Sequence, residues 1–75
     1  MTLQNITKNK QYIIRNIASL DQALVSKILA LGMIPGERVQ LMHNAPLGDP
    51  MQIKAGSSYI SIRRKDGQFV EVEAI

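Results

Sequence analysis

Four short segments in which apolar and polar residues alternate follow one another after residue 37, at spacings of about ten residues. They read RVQLMHN, MQIKA, SYISIR and FVEVEAI, and alternation with a period of two sends successive side chains to opposite faces of a strand. An earlier β-branched run, QYIIRNI at Gln11–Ile17, predicts another strand. Several short strands separated by turn signals are typical of a small barrel or sandwich. The sequence therefore predicts a mainly β fold.

One helix is predicted after this first long strand, in the segment SLDQALVSKILALG. Ser19 followed three residues later by Gln22 matches a capping box, and Asp21 adds favourable charge to the first turn. One face of the helix is apolar, with the spacing i, i+4, i+8 and i+11. That face consists of Leu20, Leu24, Ile28 and Leu31.

Turn chemistry predicts how the helix ends and how the later strands are joined. Gly32 can take the left-handed conformation common after a helix, and Met33 then supplies the apolar contact that accompanies such a cap. Pro35 and Gly36 suit the central positions of a type II turn. RVQLMHN and MQIKA are expected to pair as a hairpin across APLGDP, residues 45–50. The segment RKDGQ fits either a hairpin turn or a single helical turn, and both interpretations stay open.

Composition limits the classes of protein to consider. A chain of 75 residues has room for one small core, so we expect a single domain over residues 1–75. The absence of cysteine excludes a disulfide framework and favours a cytoplasmic setting. Without a signal-peptide pattern or a run of about 18 apolar residues, no direct membrane insertion is expected. A net charge of only +3 does not favour nucleic acid as a partner.

The inventory of chemically active side chains is small. One histidine, six carboxylates and no thiol offer neither a nucleophile with a base nor a metal cluster of recognised spacing. No catalytic, cofactor-binding or metal-binding residue is therefore predicted, and the chain is not expected to be an enzyme. His43 shares the strand parity of Val39 and Leu41, which predicts a place at the end of a buried face or at the loop mouth. A metal-ligand role is the alternative.

Two further groups of residues each have two interpretations. The four methionines carry thioethers that suit copper(I), but methionine scattered through an aliphatic core is usually filler. Arg63, Arg64 and Lys65 form the basic run of the chain. Phosphate binding is one interpretation of this run, and the neighbouring acids favour the other, a solvated strand end of mixed charge.

The segment APLGDP, hereafter the proline loop, contains two prolines. Each fixes its own φ and restricts the residue before it, so the loop loses little entropy on ordering. It would present Leu47, Gly48 and Asp49 in a set shape. Leu47 could plug the end of the barrel or form an apolar tip for a partner. Asp49 could accept backbone N–H bonds as a turn stabiliser or take part in docking.

Three segments together resemble the FeoA family: LALGMIPGERVQL, APLGDPMQIK and YISIRRKDGQFVEVE. The resemblance covers nearly the whole chain, and its most specific pieces are LGMIPG at residues 31–36 and the proline loop. It implies a small SH3-like barrel of five to six strands with one α-helix inserted after the first long strand. The sequence departs from the family at Asp66 and Gly67, where relatives usually carry a helix-favouring pair, and at the turn KNK, where they carry glycine.

The resemblance also implies a function, because FeoA proteins are small cytosolic components of bacterial ferrous iron uptake. We expect a non-enzymatic accessory protein that needs no cofactor. It would dock on the cytosolic, GTP-binding domain of a ferrous iron permease (FeoB-like), modulate it, and be recruited to the inner membrane through it. The residues expected to dock are Leu47, Gly48, Asp49, Leu31 and Met33.

An alternative function comes from the likeness of the family to the SH3-like domain appended to some metal-dependent repressors. On this interpretation the chain is a metal-responsive regulatory module that binds transition metals weakly through His43 and a carboxylate. Homo-oligomer formation through exposed strand edges also stays open.

Overall fold

The computed structural model describes residues 1–75 and contains five strands and two helices. The strands are β1 (Gln11–Ile17), β2 (Arg38–Asn44), β3 (Met51–Ala55), β4 (Ser58–Ile62) and β5 (Val70–Ala74). The helices are α1 (Gln22–Ala30) and α2 (Arg64–Gly67), and a 3-10 turn covers Leu3–Asn5. One antiparallel sheet joins the strands in the order β4-β3-β2-β1-β5. The predicted mainly β fold is confirmed, and RKDGQ forms a helical turn.

A cluster of 14 buried apolar residues forms the core. Strand alternation sends Ile14 of β1, Val39 of β2 and Ile53 of β3 into it, each no more than 1% exposed. Leu3 and Ile6 also belong to the cluster, so the segment before β1 contributes to the core. Of the methionines, two are fully buried in the core, as the filler interpretation predicts, and two are exposed.

Helix α1 begins later than the capping box predicts. Asp21 is the N-cap, and its Oδ1 accepts the N–H groups of Ala23 at 3.0 Å and Leu24 at 3.3 Å. A carboxylate there satisfies two unpaired donors and also stabilises the positive end of the helix dipole. Ser19 instead accepts the N–H of Asp21 at 3.1 Å. Leu20 consequently lies outside the helix and is 100% exposed, so its assignment to the buried helix face was wrong.

The C-terminal end of α1 forms a Schellman motif, as the sequence predicts. Gly32 has φ +99°, and its N–H donates to Leu29 O at 3.0 Å. The N–H of Met33 donates to Ile28 O at 3.4 Å, which completes the paired hydrogen bonds of the motif. Ile28 and Met33 are each 0% exposed, so the apolar contact of the motif lies in the core.

The turn between α1 and β2 is also confirmed. Gly36 has φ +94°, and the N–H of Glu37 donates to Ile34 O at 2.9 Å across the turn. The N–H of Gly36 donates to Ile14 O at 2.7 Å, which fastens the turn to β1.

The first turn, KNK, has an asparagine in the left-handed conformation where the family pattern has glycine. Asn9 has φ +67°. Asparagine tolerates this left-handed conformation better than most residues, because its short polar side chain can bond locally. The departure at this turn is therefore a conservative one.

A bulge in β2 excludes the buried-face position predicted for His43 and leaves the other predicted position, at the loop mouth. Leu41 pairs with Ile53, whereas His43 pairs with Gln52, so Met42 is an extra residue that has no pairing partner in β3. One extra residue reverses the alternation between the two faces of a strand. His43 is consequently exposed and does not continue the buried face of Val39 and Leu41.

Hydrogen bonds with Thr7 shift the titration of the Tyr12 side chain in β1. Its side chain is buried, and Thr7 N–H donates to its Oη at 3.2 Å while Thr7 Oγ1 lies 3.4 Å from the same atom. The bond with the Thr7 hydroxyl, followed by the bond from the Thr7 N–H, lowers the pKa of Tyr12 below its ordinary 10.0.

This lowered pKa predicts a gain of stability at alkaline pH. The native state loses the Tyr12 proton before the unfolded state does, so this stabilisation appears as pH rises from the native pKa towards 10.0 and is absent below that range. In Tyr12→Phe the gain should vanish, and spectrophotometric titration should show that the wild type begins to form phenolate at lower pH than the variant. Identical onset pH in the two proteins would contradict the assignment.

Candidate functional site

The proline loop is a closed turn between β2 and β3. The N–H of Ala45 donates to Pro50 O at 3.1 Å, and the N–H of Gly48 donates to Ala45 O at 2.7 Å. Gly48 has φ +81°, a conformation that favours glycine, and the Asp49–Pro50 peptide is cis. These contacts hold both ends of the loop and leave Leu47 at its tip.

Leu47 is 96% exposed. The interpretation that it plugs the end of the barrel is therefore wrong, because a plug would lie among core residues. A lone exposed leucine is ordinary in itself. Here, however, it stands on a turn whose backbone is restrained by two prolines and two closing hydrogen bonds, with Gly48 allowing the positive φ that the turn requires.

Arg64, at the start of α2, fastens the proline loop to the rest of the fold. Its Nε donates to Gly48 O at 2.6 Å, its Nη2 to Asn44 Oδ1 at 3.0 Å and its Nη1 to Gln4 O at 3.2 Å. A planar guanidinium can satisfy several acceptors at once. Three separate segments therefore converge on one side chain, and Arg64 does not belong to a solvated basic run.

Asp49 makes the second link between the proline loop and α2. Its Oδ1 accepts the N–H of Arg64 at 2.9 Å. The side chain of Arg63, the N-cap of α2, makes no capping bond, so Asp49 satisfies a helix-start donor that would otherwise lack a partner. Asp49 thus accepts a backbone N–H, as one interpretation predicts, but the donor lies 15 residues away and not within the turn.

The other two predicted docking residues lie at the end of α1 and differ in exposure. Leu31 is half-buried. Met33 is 0% exposed because the Schellman motif directs it into the core. The expectation that Met33 offers its side chain to a partner is therefore wrong.

A surface pocket of about 220 Å³ lies between α1 and the edge strand β4, beside the proline loop. We call it the α1–β4 groove, and its lining residues are Lys27, Ile28, Leu31, Pro50, Ser61, Ile62, Arg63 and Asp66. Lys27 Nζ donates to Asp66 Oδ2 at 3.2 Å, and the Asp66 side chain is only 12% exposed. Arg63 is exposed and takes part in neither ion pair of the structure.

Neither a metal cluster nor a membrane-spanning helix is found. No group of three or more His, Asp or Glu side chains is placed to hold a metal ion. No helix in the fold has the length and apolar character needed to span a bilayer.

Comparison with known proteins gives the family. The FeoA domain model matches residues 1–74. A Helicobacter pylori (strain J99) protein, named as an Fe(2+) transport protein A, is 29% identical over 73 residues, which are 97% of this chain and 94% of that protein.

Solved structures agree with this assignment. Iron(II) transport protein A from Clostridium thermocellum has a TM-score of 0.87 and 32% identity, and the match covers 100% of this chain but 46% of that one. FeoA of Stenotrophomonas maltophilia, described as a prokaryotic SH3 domain protein complexed with zinc, has a TM-score of 0.83 and 22% identity over 97% of this chain and 89% of that one. The predicted SH3-like fold is thereby confirmed. The chain belongs to the FeoA family, which is associated with ferrous iron transport.

Proposed function

We propose that this protein is a non-enzymatic accessory component of ferrous iron uptake that acts in the cytoplasm. It docks on the cytosolic, GTP-binding domain of a ferrous iron permease and biases the permease between two conformations. The observation that carries the proposal is the exposure of Leu47, 96%, at the tip of a loop that Arg64 fastens to the fold. Family membership supplies the transport system.

The rigidity of the proline loop favours docking. An apolar anchor binds more tightly when little conformational freedom is lost on association. Leu47 is presented on a turn closed by two backbone hydrogen bonds, and Asp49 and Gly48 are both tied to Arg64. Docking can shift the permease only by the difference between its binding energies for the two permease states.

The carboxylates support a non-enzymatic role, because each has a partner within the chain. All six accept a hydrogen bond or form an ion pair: Asp21, Glu37, Asp49, Asp66, Glu71 and Glu73. General acid–base chemistry needs a carboxyl or imidazole aimed at a substrate in a cleft. Here the one histidine is exposed on a bulge.

Substitution of the loop tip tests the proposal. Leu47→Asp should fold normally, because the side chain contributes almost nothing to the core. Its affinity for the full-length permease in detergent should fall by about tenfold or more, as expected when an apolar anchor is lost. Ferrous iron uptake by cells carrying the variant should fall towards that of cells without the protein. Titration should be repeated with GDP and with a GTP analogue, which gives the direction of any regulation.

Leu20→Asp is the matched control, since Leu20 is 100% exposed but lies outside the proline loop. It should bind and support uptake like the wild type. A folded Leu47→Asp variant with full uptake and unchanged affinity would exclude docking through the loop tip.

A further inference from the structure

We propose that the α1–β4 groove receives an extended segment of the partner protein. This segment pairs with the free edge of β4, places an apolar side chain between Leu31 and Ile62, and sets a carboxylate against Arg63. The inference rests on the proposed function, because the partner is taken to be the permease, and it adds the docking mode and the chemistry of the docked segment.

The edge of β4 has unused backbone groups. A two-residue turn that begins at Gly56, φ +60°, joins β3 to β4, and Ala55 pairs with Ser58 beside it. In such a hairpin the closing pair is hydrogen bonded and alternate residues point away from the partner strand. The N–H and C=O groups of Tyr59 and Ser61 therefore face the outer edge of the sheet.

The opposite edge of the sheet is already covered. The N–H of Val72 in β5 donates to Met1 O at 2.9 Å, and Thr2 forms a bridge with Glu71. Proteins usually protect an open edge with charged side chains, yet β4 reads SYISI and has none. An uncharged, unpaired edge strand is the feature that strand addition uses.

The groove beside this edge is lined by both apolar and basic side chains. Ile28, Leu31 and Ile62 line it with Pro50 of the proline loop. The charged side chains that line the groove are Lys27, Arg63 and Asp66. Lys27 forms an ion pair with Asp66, so these two charges balance each other. Arg63 is thus the charge left for an incoming acid, and a docked segment with an apolar residue next to a carboxylate complements both parts.

These features favour a protein segment from another molecule over a second copy of this chain. Two β4 strands could pair edge to edge, but neither would bring a carboxylate to Arg63, because the strand is uncharged. A segment in the groove would also lie beside Pro50, which belongs to the same loop as Leu47. The two contacts could therefore engage one partner.

The first test uses terminally blocked six-residue peptides and the full chain, followed by amide NMR shifts. The probe carries one leucine between two glutamates; matched peptides replace the glutamates with lysines or the leucine with serine. Shifts should concentrate at Leu31, Ser61 and Ile62, and each replacement should weaken binding by about tenfold. Arg63→Glu should reverse the preference between the glutamate and lysine peptides, whereas Lys10→Glu, the same charge change outside the groove, should not.

A second variant tests the main-chain contact. Ser61→Pro removes an outward N–H that does not bond to β3, and proline is tolerated at such edge positions. It should lose at least about tenfold in peptide affinity relative to Ser61→Ala. Equal affinities of folded Ser61→Pro and Ser61→Ala would overturn strand addition.

Three further outcomes would also overturn the proposal that a partner segment binds in the groove. Two of them are the absence of shifts at millimolar peptide and shifts confined to other surfaces. The third is a set of shifts at Tyr59 and Ser61 that grow with protein concentration alone, which would show that the edge pairs with a second copy of the chain. Permease binding that is lost in Leu47→Asp but unchanged in Arg63→Glu would overturn the proposal of groove binding and would still support the proposed function. Unchanged permease binding in both variants would overturn both proposals.

Discussion

Replacing Arg64 with alanine is expected to lower the free energy of unfolding by about 3 kcal/mol, because hydrogen bonds from a charged group each contribute roughly 1.5–3 kcal/mol and do not add fully. The side chain donates to Gly48 O, Asn44 Oδ1 and Gln4 O, so its loss removes the bonds that join the proline loop and the end of β2 to the N-terminal turn. The bond from the Arg64 N–H to Asp49 Oδ1 remains. Urea denaturation should show a lower midpoint at an unchanged m-value.

The neighbouring arginine supplies the control. Arg63 is exposed and forms no ion pair, so Arg63→Ala should change stability by less than about 0.5 kcal/mol. Arg64→Lys keeps the charge but lacks the planar guanidinium, so it should recover only part of the free energy of unfolding that Arg64→Ala loses. The amide signals of Ala45, Leu47, Gly48 and Asp49 should also lose dispersion in Arg64→Ala alone. Equal midpoints for the two alanine variants would contradict the role assigned to Arg64.

Features that depend on a few neighbouring residues could be predicted from the sequence. The Gly32 cap and the Pro35–Gly36 turn follow from backbone preferences of glycine and proline, and both have the expected φ angles and hydrogen bonds. The strand segments follow from alternation with a period of two. These signals are local, so they need no knowledge of what packs against them.

Features that depend on distant contacts could not be predicted. The Met42 bulge moves His43 to the surface, and one strand alone does not reveal which residue its partner leaves unpaired. Arg64 meets acceptors 16, 20 and 60 residues away, so its neighbours in sequence show only a basic run. The sequence thus predicted Leu47 as the tip of the candidate site, but it did not predict that Arg64 holds the proline loop in place.

The short helix α2 shows the same limit at the Asp66–Gly67 departure. Gly67 is buried, and a Cβ built on it would lie 3.2 Å from Leu3 Cβ, tighter than a comfortable contact. Asp66 is held by Lys27 of α1. Packing against the N-terminal turn and α1 therefore stabilises a helical turn whose local sequence favours a hairpin equally well.

Ile28→Ala is expected to destabilise the fold by about 3–4 kcal/mol, within the range for truncating a buried isoleucine. Ile28 is 0% exposed and is the one buried residue of α1. Its carbonyl also accepts the Met33 N–H in the Schellman motif, so the side chain that anchors the helix belongs to the residue that helps to end it. A chain of this size has a total stability of only about 4–11 kcal/mol, so the loss is a large fraction of it.

Leu29→Ala changes the next residue, whose side chain is 39% exposed, and should cost less than about 1 kcal/mol. Urea midpoints and hydrogen exchange across Gln22–Ala30 measure both variants. If Ile28→Ala lowers stability no more than Leu29→Ala does, α1 is not anchored through Ile28. In that case the helix side of the α1–β4 groove would lack the fixed wall that a docked strand requires. Leu31 could not replace Ile28 as this wall, because it lies just after the helix and is only half-buried.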